Sequence, residues 1–128
     1  MAPVPSEILR ELGPLRLKGG KMYIKKFTEV EKEIHDGNTY YRVLPRKATE
    51  KLEICMVCVP PGSKVPAHTH NDHEQAYIIL QGSGVMRING EERMVTANTV
   101  VYIPKNAEHE ITNHDKHNQL IYLFVANW

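Results

Sequence analysis

His68 and His70 stand one residue apart at the start of "HTHNDHEQAYIILQG", residues 68–82. On an extended backbone, residues two apart share a face, so the two imidazoles can reach one ion. The pairing is the strand counterpart of histidines four apart on a helix. Taken alone, the same stretch also reads as a polar loop. His73 falls between the pair and the strand that follows. His114 and His117 lie in the polar turn "HDKHN" and read as solvated, as does His35 beside "DGN".

The elements that must position these side chains are short strands separated by turn signals, the pattern of an all-β sandwich or barrel. "KMYIKKF" and "TYYRVL" are predicted strands, the second after the turn "HDGN". "KLEICMVCV" ends at "PPG", and "QAYIILQ" ends at "GSG". "VMRI" and "RMVT" flank "NGEE", where Asn-Gly predicts a two-residue hairpin turn. "TVVYI", "HEITN" and "QLIYLFVA" complete the set. One segment reads as helix: "SEILRELG", with Ser6 as N-cap, Ile8, Leu9 and Leu12 apolar, and Gly13 as the stop. Before about residue 50 the chain is more charged and its strands less regular. Residues 1–48 therefore read as an N-terminal arm, with its short helix and strands, packed on a β-barrel of residues 49–128.

The 128 residues suffice for one domain with one core. A net charge of +1, with no long Lys/Arg run, argues against nucleic acid as a partner. No apolar run approaches the roughly 18 residues of a membrane helix, and the N-terminus lacks the pattern of a secretory signal. Cys55 and Cys58 point to opposite faces of one predicted strand, so they read as reduced cysteines of a cytoplasmic protein rather than a metal or redox pair.

Two motifs in register resemble those of the cupin superfamily. The first is Gly62, five residues, His68-x-His70, four residues, Gln75, six residues and Gly82. The second is Pro104-x-Asn106-x-x-His109-x-x-x-Asn113. Cupins usually carry Gly where Asn98 and Asn106 stand, and Asn is the next residue to tolerate a left-handed turn. The resemblance spans about residues 50–126. It implies a jelly-roll barrel (a double-stranded β-helix) with His68, His70, Gln75 and His109 projecting inward onto one divalent metal. Strand parity agrees, with Gln75, Tyr77 and Ile79 on one face and His109 beside Ile111. Gly82 and Gly84 mark the tight turn between strands. His73 could replace or supplement Gln75 only with a different loop path.

Three imidazoles and a glutamate would leave a divalent ion at net +1; an amide leaves the full +2. The ion is then held less tightly but is the stronger Lewis acid, and it attracts an anionic substrate more. Imidazole-rich ligation suits Zn, Ni, Fe, Mn or Cu rather than Ca or Mg. An amide accepts no proton at neutral pH, so a general base must be a hydroxide on the ion or a neighbouring side chain. Tyr77, two residues along the face from Gln75, is the first candidate, against the alternative of a core aromatic. Glu74 and Glu110 should face away.

The ligand set is similar to that of small single-domain cupins acting on unsaturated uronate sugars. The expected function is a small metalloenzyme, of isomerase or lyase type, whose ion acts as a Lewis acid on a small anionic, oxygen-rich molecule such as a sugar acid. An iron dioxygenase is the alternative within the same class; it needs at least two open positions, and four protein ligands leave two on an octahedral ion. A non-catalytic module binding metal or a small molecule is the alternative from another class. Cupin barrels commonly pair through one sheet, so a homodimer is expected, with "YYRV" and "FVANW" as candidate interface.

Overall fold

Alternation of buried and exposed residues runs through almost every strand, and it is what builds the molecule. The computed structural model describes Leu17 and residues 20–128; the helix expected over residues 6–13 lies outside the described residues. Ten strands follow in order: β1 (Glu33–His35), β2 (Asn38–Leu44), β3 (Leu52–Val59), β4 (Lys64–His68), β5 (Glu74–Gln81), β6 (Ser83–Ile88), β7 (Glu91–Thr96), β8 (Val100–Ile103), β9 (His109–Thr112) and β10 (Leu120–Asn127). They form two antiparallel sheets, ordered β1-β2-β3-β10-β5-β8 and β4-β9-β6-β7. This is the all-β jelly roll expected from the motifs.

The core lies between the sheets. β3 contributes Cys55, Val57 and Val59, β5 contributes Tyr77 and Ile79, and β10 contributes Leu120, Tyr122 and Phe124. From the smaller sheet, Met86 and Ile111 close the sandwich. Each fully buried aliphatic side chain stabilises the fold by about 1.5–3 kcal/mol before chain entropy is set against it.

The turns obey their residues. Asp36 and Gly37 (φ 53° and 79°) join β1 to β2, and Asn89 and Gly90 (φ 48° and 84°) join β6 to β7. Two successive left-handed residues are what a right-twisted two-residue hairpin requires. Asn98 and Asn106 are left-handed as well, at φ 68° and 66°, as expected of positions where cupins carry glycine. At Gly84 an added Cβ would come within 2.8 Å of both Leu120 Cδ2 and the Thr112 carbonyl oxygen, so no larger residue fits unless the neighbours shift.

The arm departs from expectation. Residues 21–26 form no strand, and Phe27–Glu29 is a 3-10 turn. Their alternation finds no face to bury: Met22 is 84% and Ile24 77% exposed. The segment is held instead by Tyr23, whose hydroxyl donates to the Val43 carbonyl at 2.6 Å. β2, by contrast, hydrogen-bonds along β3, and β1 forms the edge beyond it. β1 and β4 were not anticipated. β4 holds Pro66, which a strand tolerates at a sheet edge, and β4 is such an edge.

Candidate metal centre

Cross-strand register brings the first two histidines together. His68, at the end of β4, lies opposite His109, at the start of β9, and their ring centroids are 4.1 Å apart. His70 follows in the loop between β4 and β5, 4.8 Å from His68 and 5.3 Å from His109 by ring centroid. Its carbonyl accepts a 2.7 Å hydrogen bond from the Asn106 N–H, so the left-handed turn of the second motif pins the first. The donor atoms of His68, His70 and His109 all lie within 4.8 Å of one another. Gln75 belongs to the other sheet and is buried on the inward face of β5, at 6% exposure.

The hydrogen bonds leave metal-binding lone pairs free. His68 Nδ1 lies 2.8 Å from the Pro66 carbonyl oxygen, and His109 Nδ1 lies 2.8 Å from that of Ala107. A carbonyl only accepts, so each Nδ1–H donates and each Nε2 carries its lone pair. His109 Nε2 and Gln75 Oε1 are buried without any hydrogen-bond partner. An unpaired buried group costs about 1–3 kcal/mol, a cost that a bound divalent ion would offset. Backbone carbonyls behind the ligand imidazoles are also the usual way of fixing the tautomer in metal sites. The residues present therefore fit a transition metal, with His68, His70, His109 and Gln75 available to hold it.

Electrostatics point the same way. Burial, followed by the neighbouring His73, His68 and His109, lowers His70 to about 4. His109 is lowered by burial too, its bond to Ala107 opposing. Both rings stay neutral at pH 7, the form that binds metal.

His68, His70 and Gln75 line a cavity of about 240 Å³. Tyr77 lines it and is 3% exposed; its ring stacks on Tyr122 at 4.4 Å and meets His109 edge-on at 6.0 Å. Burial pushes the Tyr77 hydroxyl well above the ordinary tyrosine range. His73 is only 8% exposed, lines the same cavity, and stands 4.3 Å from His70 by ring centroid. Glu74 and Glu110 face away as parity requires: Glu74 accepts from the Tyr102 hydroxyl, and Glu110 pairs with Arg87 and Lys64. His114 and His117 are exposed. His35 is exposed too, but it also borders the cavity.

Arg42 and Glu53 form a further part of the wall, one that reading the sequence missed. Arg42 donates from Nε to Glu33 at 3.1 Å and from Nη1 to Glu53 at 2.6 Å, and its guanidinium lies 5.8 Å over the Phe124 ring. Burial works against the Glu33 carboxylate, but its bonds to His35 and Arg42 outweigh it and hold the group below its ordinary value. The signal was in β3, where Glu53 shares its parity with buried Cys55 and Val57.

Among the described residues, no helix is long and apolar enough to cross a membrane. The chain is 33% identical to the uncharacterized protein MJ1618 of Methanocaldococcus jannaschii over 93 residues, 73% of this chain and 69% of that one. It is 27% identical over 88 residues to auxin-binding protein T85 of Nicotiana tabacum, covering 61% of this chain but only 46% of the tobacco protein. In fold it resembles a crystal structure from Thermotoga maritima described as a predicted oxalate decarboxylase. That match has a TM-score of 0.73 at 22% identity, over 82% of this chain and 98% of the other. The family model for the cupin domain matches residues 55–126, from β3 through β10 and with every candidate ligand inside it, and the chain belongs to that family.

Proposed function

We propose that this cupin is a small metalloenzyme in which His68, His70, His109 and Gln75 hold one divalent transition metal over the cavity. The observation that carries the reading is the convergence of three imidazole donors within 4.8 Å, beside the unpartnered, buried Gln75 Oε1. A bound ion supplies Lewis acidity toward a substrate oxygen, undiminished by any carboxylate ligand. The chain's own residues do the rest. Neutral His70 and His109 keep the donor set free of competing protons.

Tyr77 keeps its proton at neutral pH, because burial disfavours the phenolate. Its role is thus to donate a hydrogen bond or proton toward the substrate rather than to remove one. The preference for an anionic, oxygen-rich molecule such as a sugar acid rests on the ion, since Arg42 is already matched by Glu33 and Glu53. Isomerase or lyase chemistry follows as the reaction class. Pairing of two copies belongs to the same reading and is checked by sedimentation of the full chain.

The test is metal content by mass spectrometry on tag-free protein prepared without chelator, followed by a screen of sugar acids with the loaded protein. About one equivalent of nickel, zinc or manganese, with turnover, supports the reading. Iron together with oxygen consumption would replace it with a dioxygenase. Failure of both the protein as isolated and the stripped, re-exposed protein to take up metal would overturn it.

A second reading, small-molecule binding without turnover, draws support from the relative named as auxin-binding. Calorimetric binding of a sugar acid or an aromatic acid with no product formed would favour it.

A further inference from the structure

His73 is the one buried histidine that the four-ligand centre leaves without a role. Its Nδ1 lies 2.7 Å from Asp72 Oδ1. A carboxylate only accepts, so Nδ1–H donates, and in the neutral ring Nε2 carries the lone pair, as in His68 and His109. That Nε2 is buried and has no hydrogen-bond partner, the same condition as His109 Nε2 and Gln75 Oε1. No other buried side-chain nitrogen or oxygen among the described residues is in that state. The ring stands 4.3 Å from His70, inside the 4.1–5.3 Å spread of centroid separations among His68, His70 and His109 themselves. Its donor nitrogen stands outside the three that converge within 4.8 Å; two ligands of one ion lie at most about 4.2 Å apart, so binding the same ion requires the His73 ring to swing inward.

Asp72, behind it, is itself paired, although it is more exposed than the backbone carbonyls behind His68 and His109. Asp72 is held by Arg46, Nη2 to Oδ2 at 2.9 Å, and Arg46 stacks on Trp128 with its guanidinium 4.1 Å from the ring centroid. A loop histidine braced through three further side chains is a poor description of a merely solvated residue.

We infer that His73 is a further ligand of the metal, through Nε2, so that the centre comprises His68, His70, His73, His109 and Gln75, with Asp72 orienting His73 and Arg46 and Trp128 holding Asp72. The inference rests on the metal reading proposed above and deepens it. Five protein donors leave a single position on an octahedral ion. The substrate then meets the ion through one oxygen atom, and the dioxygenase alternative, which needs room for both substrate and O2, loses its second position.

Cobalt(II) is the probe, added to the full chain after stripping with chelator. X-ray absorption counts the imidazoles around it, and competition with a chromophoric chelator measures affinity. The wild type is expected to show four imidazoles. His73→Ala should show three, with affinity lower by on the order of 100-fold, and Asp72→Asn should keep four with affinity lower by roughly tenfold. Circular dichroism of the stripped variants establishes that they are folded; if His73→Ala is not, the imidazole count of the wild type decides alone. Three imidazoles in the wild type overturn the inference and leave the smaller centre standing. So does an affinity unchanged in a folded His73→Ala. A wild type that takes up no cobalt overturns the metal reading itself and this inference with it, an outcome distinct from the other two.

Discussion

Two buried amides mark two different regions of the barrel. Asn113, fully buried after β9, donates from Nδ2 to the carbonyls of Val59, Pro60 and Asn118 at 3.0, 3.2 and 2.9 Å, and its Oδ1 accepts from the Asp115 N–H at 3.0 Å. Asn38 is similarly committed, between Lys64 and Ser63. Gln75, at the other region, buries an oxygen that nothing in the chain satisfies. Proteins rarely leave such atoms alone unless something else is to meet them. The first amide ties loops to strands; the second carries an oxygen that nothing in the chain meets.

Four measurements break or sharpen that contrast. Asn113→Ala removes two N–H donors shared among three carbonyls, of which Pro60 keeps its bond from the Ser63 N–H, and strands the Asp115 N–H. It should lower unfolding stability by about 2–4 kcal/mol in a denaturant titration. Metal uptake per folded molecule should not change. A loss below about 1 kcal/mol would mean that solvent replaces these bonds and that the two amides differ less than their contacts imply.

His109→Ala should act on the other side of the contrast. Metal affinity should fall by at least about 100-fold, near 2.7 kcal/mol, because a ligand and its backbone-fixed tautomer both go. Stability of the metal-free protein should shift by only about 1–2 kcal/mol, the new cavity being partly offset by removal of an unpaired nitrogen. Chelator competition and thermal melts of stripped protein separate the two effects.

Gln75→Leu gives the sharpest sign test. Without metal it should leave stability unchanged or raise it by about 1 kcal/mol, since it deletes a desolvated acceptor. With metal, affinity should drop by roughly tenfold. The same apolar replacement at Asn113 should destabilise whether or not metal is present.

The smallest effect is on pH dependence. In the metal-free protein His70 titrates near 4, below its ordinary 6.5. Between those values the unfolded chain binds the proton and the folded chain does not, so folding stability is full above about pH 6.5 and declines as pH falls toward 4. Solvent at the partly exposed His70 softens the decline. With metal present the fall should be steeper, because protons also compete for the ligands. A melting temperature independent of pH across that range would mean His70 is not held neutral by its surroundings.

Much of this was legible in sequence because the strand period is two. Gln75, Tyr77 and Ile79 face inward and Glu74 outward, as parity alone predicts. The left-handed turns at Asn89-Gly90, Asn98 and Asn106 were legible because few residues accept that conformation. His73 was not, since loop residues follow no period and only the folded loop shows it to be buried. Nor was the fate of "KMYIKKF": its alternation is strand-like, but forming a strand also needs a neighbour to bond and a face to cover. Pro66 concealed β4, because an edge position cannot be read from local sequence.

The place of β10 in the larger sheet has a consequence for how the centre comes into being. β10 is the latest strand in sequence, yet it lies between β3 and β5, bonded to both. Until it inserts, Gln75 sits on a strand missing its central partner, while His68 and His109 can already pair within the smaller sheet. Long-range pairing of this kind is slow, and the open edges of β3 and β5 are vulnerable to association while they wait. A nascent chain would thus bring its histidines together before the amide arrives. If the centre binds metal as proposed, an ion met at that stage has only the histidines for ligands until β10 completes the larger sheet.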